Sequence, residues 1–229
     1  MKGGRFLVLA ISMMVVAVLL SGVNCLGGTS EGKVPVFKTG DQWLWAQVFE
    51  DTTFDMSVEI TDTSVLDDEE CYIMDMTFDP PLYETFDTMR LWMAVGEPFF
   101  SPLKIQMETT VLGEPYSVVT ECSAEYPDED PWPLEVGNEF TLVQTMTTTI
   151  TISGETATET ETETSVIKVE GKEDITVSAG EFTCFVIKDY NEENELLNTY
   201  WYSDEVKNDV KSIDAVEGEN SELKSYSFA

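Results

Sequence analysis

Apolar and polar side chains alternate along most of the chain after residue 36. In residues 54–60 every second side chain is apolar, with acidic or hydroxyl side chains between. Apolar side chains recur at every second position in residues 72–78, 89–95 and 103–107. A period of two indicates β-strands with one buried and one wetter face, as in antiparallel sheets. No window beyond the N-terminal segment shows a helical period of about 3.6.

Turn-forming residues interrupt these runs at short intervals. Acidic, proline and glycine residues cluster at 67–70, 79–81, 96–98 and 113–115. These residue types favour tight turns and end strands. Short strands separated in this way form a meander, so we predict an all-β, antiparallel fold.

The densest interruption lies near the middle of the chain. Residues 126–133 contain three prolines and three carboxylates around Trp132, which suits neither a strand interior nor a helix. We interpret residues 126–136 as an acidic, proline-rich linker. It separates a first β unit, residues 36–125, from a second, residues 137–229.

The two units resemble one another in sequence. Gly40-Asp41-Gln42-Trp43 corresponds to Gly137-Asn138-Glu139-Phe140, and Cys71-Tyr72-Ile73 to Cys184-Phe185-Val186. The order of such matches is kept although their spacing drifts, which suggests a duplication. Two duplicated meanders form either two small lobes or one long sheet curved into a half-barrel or barrel.

A run of alternating threonine and glutamate covers residues 156–164. Threonine favours strands and glutamate suits a wet face. Like charges along such a strand discourage edge-to-edge pairing. We therefore predict a solvated edge strand here, and not a binding tract.

The first 24 residues have the pattern of an export signal. Lys2 and Arg5 precede an apolar run over residues 6–20, and small residues follow, as in signal peptides. The run is short for a membrane span, which needs about 20 residues. Residues 1–24 are therefore either a signal peptide or a retained anchor helix. In both cases the folded part lies outside the cell, and we predict that it is anchored to the outer face of the cell membrane.

Cys25 opens a flexible tether, residues 25–35. The sequence Cys25-Leu26-Gly27-Gly28 resembles the N-terminus of archaeal surface lipoproteins, whose cysteine carries lipid. Val23-Asn24 departs from the small residues usual before such a cysteine. Three outcomes are therefore open: lipidation of Cys25, simple cleavage of the signal peptide, or retention of the segment as an anchor. The membrane is the predicted partner of the N-terminus.

Composition narrows the possible functions. The chain carries 44 acidic and 12 basic residues, a formal charge of −32, which repels nucleic acid. It has no histidine, which excludes Ser-His-Asp and Cys-His nucleophiles and the usual zinc ligand sets. No glycine-rich phosphate loop is present. We expect no enzyme activity, no cofactor, no resident metal and no nucleic-acid partner.

Two alternatives rest on the carboxylates. A glycan hydrolase needs a carboxylate pair about 5 to 9 Å apart in a cleft, and abundance alone does not supply that arrangement. A calcium-dependent adhesion module could draw oxygen ligands from residues 67–70 and 128–130. Neither segment fits a defined calcium loop.

Three cysteines follow Cys25. An exported protein can form disulfides, and Cys71, Cys122 and Cys184 allow three pairings, of which we favour Cys71–Cys122. Cys71 and Cys184 lie in apolar alternating runs, so buried free thiols are the alternative.

A second-unit hairpin carries the most distinctive pattern. Gly180 provides a tight turn or a positive φ. The strand that follows holds Phe182 and Cys184 and is apolar on both faces, which indicates a central position. Trp201 and Tyr202 on the next strand pack across it as aromatic partners. We predict a core hairpin; an aromatic wall for a ligand is the alternative.

This hairpin also carries a family resemblance. The pattern V-x-A-G-x-F-x-C-x-V-I-K followed by W-Y-S-x-E-V resembles uncharacterised exported β proteins of bacteria and archaea, many of them lipoproteins. These are similar to half-barrel lipoprotein carriers, whose concave sheet holds an apolar ligand. The resemblance covers residues 132–229. Asp204 and Lys207 replace the family's usual proline and glycine, and no functional residues carry over.

These observations together predict a non-enzymatic, membrane-tethered cell-surface protein that binds a partner or forms part of the envelope. A carrier of lipid or another apolar small molecule is the sharper alternative. It rests on the many methionine and aromatic residues of the alternating strands. The same residues could simply form the core.

Overall fold

The computed structural model describes residues 34–49, 52–82, 86–95, 102–111, 113–127 and 133–229. The predicted N-terminal helix, Cys25, Trp132 and residues 128–130 lie outside these ranges. Within them, the chain forms twelve β-strands and no helix long and apolar enough to cross a membrane. The strands are β1 (Gln42–Phe49), β2 (Thr52–Leu66), β3 (Glu69–Leu82), β4 (Phe86–Ala94), β5 (Pro102–Val111), β6 (Glu114–Glu125), β7 (Glu139–Ile152), β8 (Glu155–Val177), β9 (Gly180–Asn191), β10 (Leu196–Ser203), β11 (Asn208–Asp214) and β12 (Asn220–Ser227).

Each strand pairs antiparallel with the next in sequence, and β1 pairs with β12 to close the barrel. The prediction of an all-β antiparallel meander is confirmed, and its sheet is a closed barrel. The two β units merge through a continuous ladder between β6 and β7, from Tyr116↔Ile152 to Glu125↔Val143. The duplication and the unit boundaries stay predictions. Leu134, within the proposed linker, is fully buried.

The alternating apolar residues fill the interior. Trp43 and Trp45 are almost completely buried, and their indole N–H groups donate to the carbonyls of Val206 (2.9 Å) and Asp209 (3.1 Å). These bonds satisfy two polar groups that would otherwise be costly to bury. A second, smaller cluster surrounds Tyr200 and Tyr202. The larger cluster is rich in methionine, with Met56, Met74, Met76, Met89, Met93, Met107 and Met146.

Asp41 ties the two termini of the barrel together. Its fully buried carboxylate accepts hydrogen bonds from the backbone N–H groups of Lys38 and Ala229, each at 3.0 Å. The ammonium group of Lys207 lies 3.2 Å from the same carboxylate. A buried charge needs such partners, so this cluster fixes β1 against the last strand.

The tip of the β8–β9 hairpin contacts β12, one of the two strands that close the barrel. The backbone N–H of Ala179 donates to the carbonyl of Leu223 in β12 at 3.2 Å. The ring of Phe182 packs against Tyr226 with a centroid distance of 6.0 Å. The hairpin tip therefore packs into the main core, as its apolar pattern predicts.

Candidate functional site

A cavity of about 510 Å³ opens at one end of the barrel. Because the strands alternate in direction, the start of β1, the β2–β3 turn, the end of β4 and the start of β5 all lie at this end. We call it the amino-terminal end. The cavity is lined by the apolar residues Leu66, Ala94, Pro102, Leu103, Cys122 and Ala124, and by Asp67, Glu69, Lys104, Glu121 and Ser123.

Two irregularities of the sheet create the cavity. The register between β4 and β5 shifts after Trp92↔Lys104, so the next pair is Met93↔Pro102 and Leu103 is left over. The register of β5 with β6 begins at Lys104↔Glu121. Cys122 and the residues after it therefore extend past β5, and no strand of the described chain covers that side of β6. The gap between these strand ends forms the cavity, whose lining mixes apolar and polar side chains.

The rim of the cavity is mainly acidic. Asp67, Glu69 and Glu121 line the cavity together with one cation, Lys104, whose ammonium group lies 4.9 Å from the centroid of the Trp92 ring. This rim favours a neutral or cationic head group over an anionic one. Apolar side chains and the thiol of Cys122 line the same cavity.

Cys122 contributes the only thiol among the described residues that line the cavity. Burial and the nearby charge of Glu121 raise the pKa of the Cys122 thiol to about 12. A thiol with so high a pKa stays protonated at neutral pH and is a poor nucleophile. Cys122 is therefore not an activated nucleophile in this cavity.

A second polar feature lies in the barrel interior near β9. Asp189 is 1% exposed and accepts a 3.5 Å hydrogen bond from Asn198. Burial raises its pKa to about 6, an effect that hydrogen bonds from Ser165 and Asn198 oppose and the charge of Glu163 enlarges. A carboxyl with a raised pKa beside a second carboxylate is typical of a general acid. Asp189 is too enclosed for a glycan to reach it.

The structure does not assemble the sequence-predicted motif into a ligand site. Gly180 begins β9, and Phe182 and Cys184 lie in the main core. Tyr202 lies in the second core cluster, whereas the half-exposed Trp201 donates its indole N–H to Glu173 at 2.9 Å. None of these residues lines the cavity.

The cysteines and acidic segments are placed as follows. Cys71, Cys122 and Cys184 are free thiols in this structure. By strand alternation Cys122 shares its face with the core residue Val118, and Cys71 shares its face with Asp75; the Cys71–Cys122 pairing stays a prediction. No group of three or more acidic or cysteine residues in the described ranges could hold a metal ion, residues 67–70 included.

Sequence reasoning missed the cavity. Ala94, Leu103 and Ala124 are ordinary small or apolar residues in alternating runs, and Cys122 stood out only as a disulfide candidate. The cavity forms because of the register shift next to Leu103, and no residue type in this segment predicts such a shift.

Comparison with known proteins gives remote similarities. The DUF3108-like family model matches residues 106–213, just under half of the chain. No curated protein matches. A candidate lipoprotein structure from Parabacteroides distasonis ATCC 8503 is 11% identical, with a TM-score of 0.36, over 83% of this chain and 96% of its own. A candidate exported protein with a YmcC-like fold from Bacteroides fragilis NCTC 9343 is 11% identical, with a TM-score of 0.38, over 89% and 99%.

Proposed function

We propose that this protein is an exported, membrane-tethered barrel that binds a small apolar molecule without transforming it. The observation that carries the proposal is the solvent-reachable cavity of about 510 Å³, whose lining includes the apolar side chains of Leu66, Leu103 and Ala124. Its volume falls in the range of sites that hold small molecules, about 300 to 1,000 Å³. The ligand would lie at the barrel end, because large side chains fill the barrel centre.

The position of the cavity supports this function. The chain enters β1 at the amino-terminal end of the barrel, which is also the end at which the cavity opens. A tether to the membrane would place the cavity near the lipid surface. Apolar molecules concentrate there, since burying each CH₂ group is worth about 0.8 kcal/mol.

The acidic rim narrows the ligand class. Three carboxylates and one lysine surround the mouth, and an anionic head group would be repelled by the net negative charge. A neutral or cationic amphiphile fits better than a free fatty acid. The broader alternative is that the protein is a component of the cell envelope and binds no small ligand.

The test uses a neutral fluorescent probe, N-phenyl-1-naphthylamine, with the full chain. Ala94→Phe inserts a ring into the cavity, whereas Ala215→Phe adds the same ring in the exposed β11–β12 turn. We expect saturable binding by the wild type and the control, and at least about tenfold weaker binding by Ala94→Phe, because lost cavity contacts cost about 1.4 kcal/mol or more.

Thermal melts of the three proteins confirm that each is folded before binding is compared. Equal probe binding by all three folded proteins would contradict the proposed site. A preference for an anionic amphiphile over its neutral analogue would contradict the proposed ligand class.

A further inference from the structure

The first ten residues of β8 form an open sheet edge. Their partners in β7 run from Glu155↔Ile152 to Thr164↔Val143. The ladder with β9 begins only at Ser165↔Asn191. Residues 155–164 therefore pair on one side alone within the described chain, and most of their side chains are exposed. Half of their backbone N–H and C=O groups point away from β7 and can accept another strand.

The two faces of this edge differ in chemistry. On one face, threonine hydroxyls bond across to β7, as between Thr160 and Thr147 at 3.0 Å. Cross-strand partners share a face, and the other face pairs with the buried side chains of β7. That face carries a glutamate at every second position: Glu159, Glu161 and Glu163.

Two buried polar atoms beside the glutamates have no hydrogen-bond partner among the described residues. Gln144, the cross-strand neighbour of Glu163, is 5% exposed, and its Nε2 has no hydrogen-bond acceptor among the described residues. The Oδ1 atom of Asp189, 1% exposed, likewise has no donor in the described chain. The charge of Glu163 acts on Asp189, so these groups lie together. Unsatisfied buried groups are uncommon in native proteins and point to a missing partner.

We propose that residues 155–164 of β8 bind an extended peptide segment that carries lysine or arginine at every second position, as an added strand. The backbone edge supplies the ladder hydrogen bonds, and the glutamates supply the side-chain selectivity of this recognition mode. A basic side chain at each alternate position lies opposite Glu159, Glu161 or Glu163 and offers donors toward Asp189.

The charge of the edge selects against other strands. A second copy of this edge would place like charges directly opposite each other, which destabilises a sheet pair. Burial and the charge of Glu161 already raise the pKa of Glu163, so the carboxylates of this face repel one another. A basic strand relieves that repulsion, and it occupies a different site from the end cavity.

The experiment measures binding of labelled ten-residue peptides to the full chain by fluorescence anisotropy at about 0.1 M salt, where the Debye length is about 10 Å. The probe alternates threonine and lysine. One control peptide has the same composition with its lysines consecutive, and a second replaces lysine with glutamate. We expect the alternating lysine peptide to bind more tightly than both.

Two protein variants locate the site. Glu159→Gln, Glu161→Gln and Glu163→Gln together remove the charged face of β8, and Asp68→Asn, Glu125→Gln and Glu181→Gln remove three exposed charges at the amino-terminal end. We expect roughly tenfold weaker binding by the first variant, since an opposite-charge pair across strands is worth about 0.2 to 1 kcal/mol. The second should bind as the wild type does.

Hydrogen exchange then tests strand addition itself. The alternating peptide should protect amides within residues 155–164 that exchange fast in the free protein. Equal binding of the consecutive-lysine peptide, equal weakening by both variants, protection that maps elsewhere, or no binding would each overturn the proposal.

Discussion

Asp189 is a carboxyl group held where its charged form is disfavoured. Its pKa is about 6 in the fold against an ordinary value of 3.8. The folded state therefore binds the proton more tightly than the unfolded state does. The contribution of Asp189 to the free energy of unfolding is fully present below about pH 4. It is lost as the pH rises through the folded-state pKa of about 6, and a shift of about two pKa units corresponds to a loss of about 3 kcal/mol.

Asp189→Asn should remove that loss. The amide keeps the shape of the side chain but carries no charge, so we expect the free energy of unfolding at pH 7.5 to rise by about 2 kcal/mol. Urea unfolding between pH 4 and 8 measures the effect. The variant should show a flatter profile than the wild type between pH 4 and 6. A stability equal to or below that of the wild type at pH 7.5 would contradict the conclusion that burial disfavours the charged form of Asp189.

Gly180 adopts the backbone conformation that the turn into β9 requires. Its φ is +146°, and an added Cβ would lie 3.4 Å from the ring of Phe182. L-residues rarely adopt this backbone conformation. The sequence predicted a glycine-dependent turn here from the residue type alone, and the backbone confirms the positive φ.

Gly180→Ala should therefore destabilise the β8–β9 hairpin by about 1 to 3 kcal/mol. The matched control is Gly171→Ala, on the same hairpin, where a Cβ meets nothing within 4 Å and φ lies outside the left-handed region. We expect the control to change stability by less than about 0.5 kcal/mol. Denaturant midpoints of the two variants provide the comparison. If they shift equally, the conformation of Gly180 does not matter.

The strands could be predicted from the sequence because period-two alternation directly reflects a sheet with one buried face. Residues 54–60 and 72–78 lie in β2 and β3 with their apolar side chains inward. The open edge of residues 155–164 was visible in the threonine–glutamate pattern. The face shared by its glutamates and the buried side chains of β7 was not visible, because which side chains share a face depends on the register with neighbouring strands.

The closure and the cavity could not be predicted. The pairing of β1 with β12 joins residues far apart in sequence, as in Trp43↔Tyr226. The cavity depends on how far β6 extends past β5, which is a difference in strand length and not a residue pattern. Local propensity carries no information about either.

If the barrel binds an apolar ligand at its amino-terminal end, the protein should still carry that ligand when it is purified from its own membrane. Native mass spectrometry of the full chain, purified from its own membrane in mild detergent, measures this beside the Ala94→Phe and Ala215→Phe variants. We expect a non-covalent mass increment on the wild type and Ala215→Phe that disappears on denaturation and is absent from Ala94→Phe. A folded wild type without any increment, or the same increment on all three proteins, would contradict the proposed function.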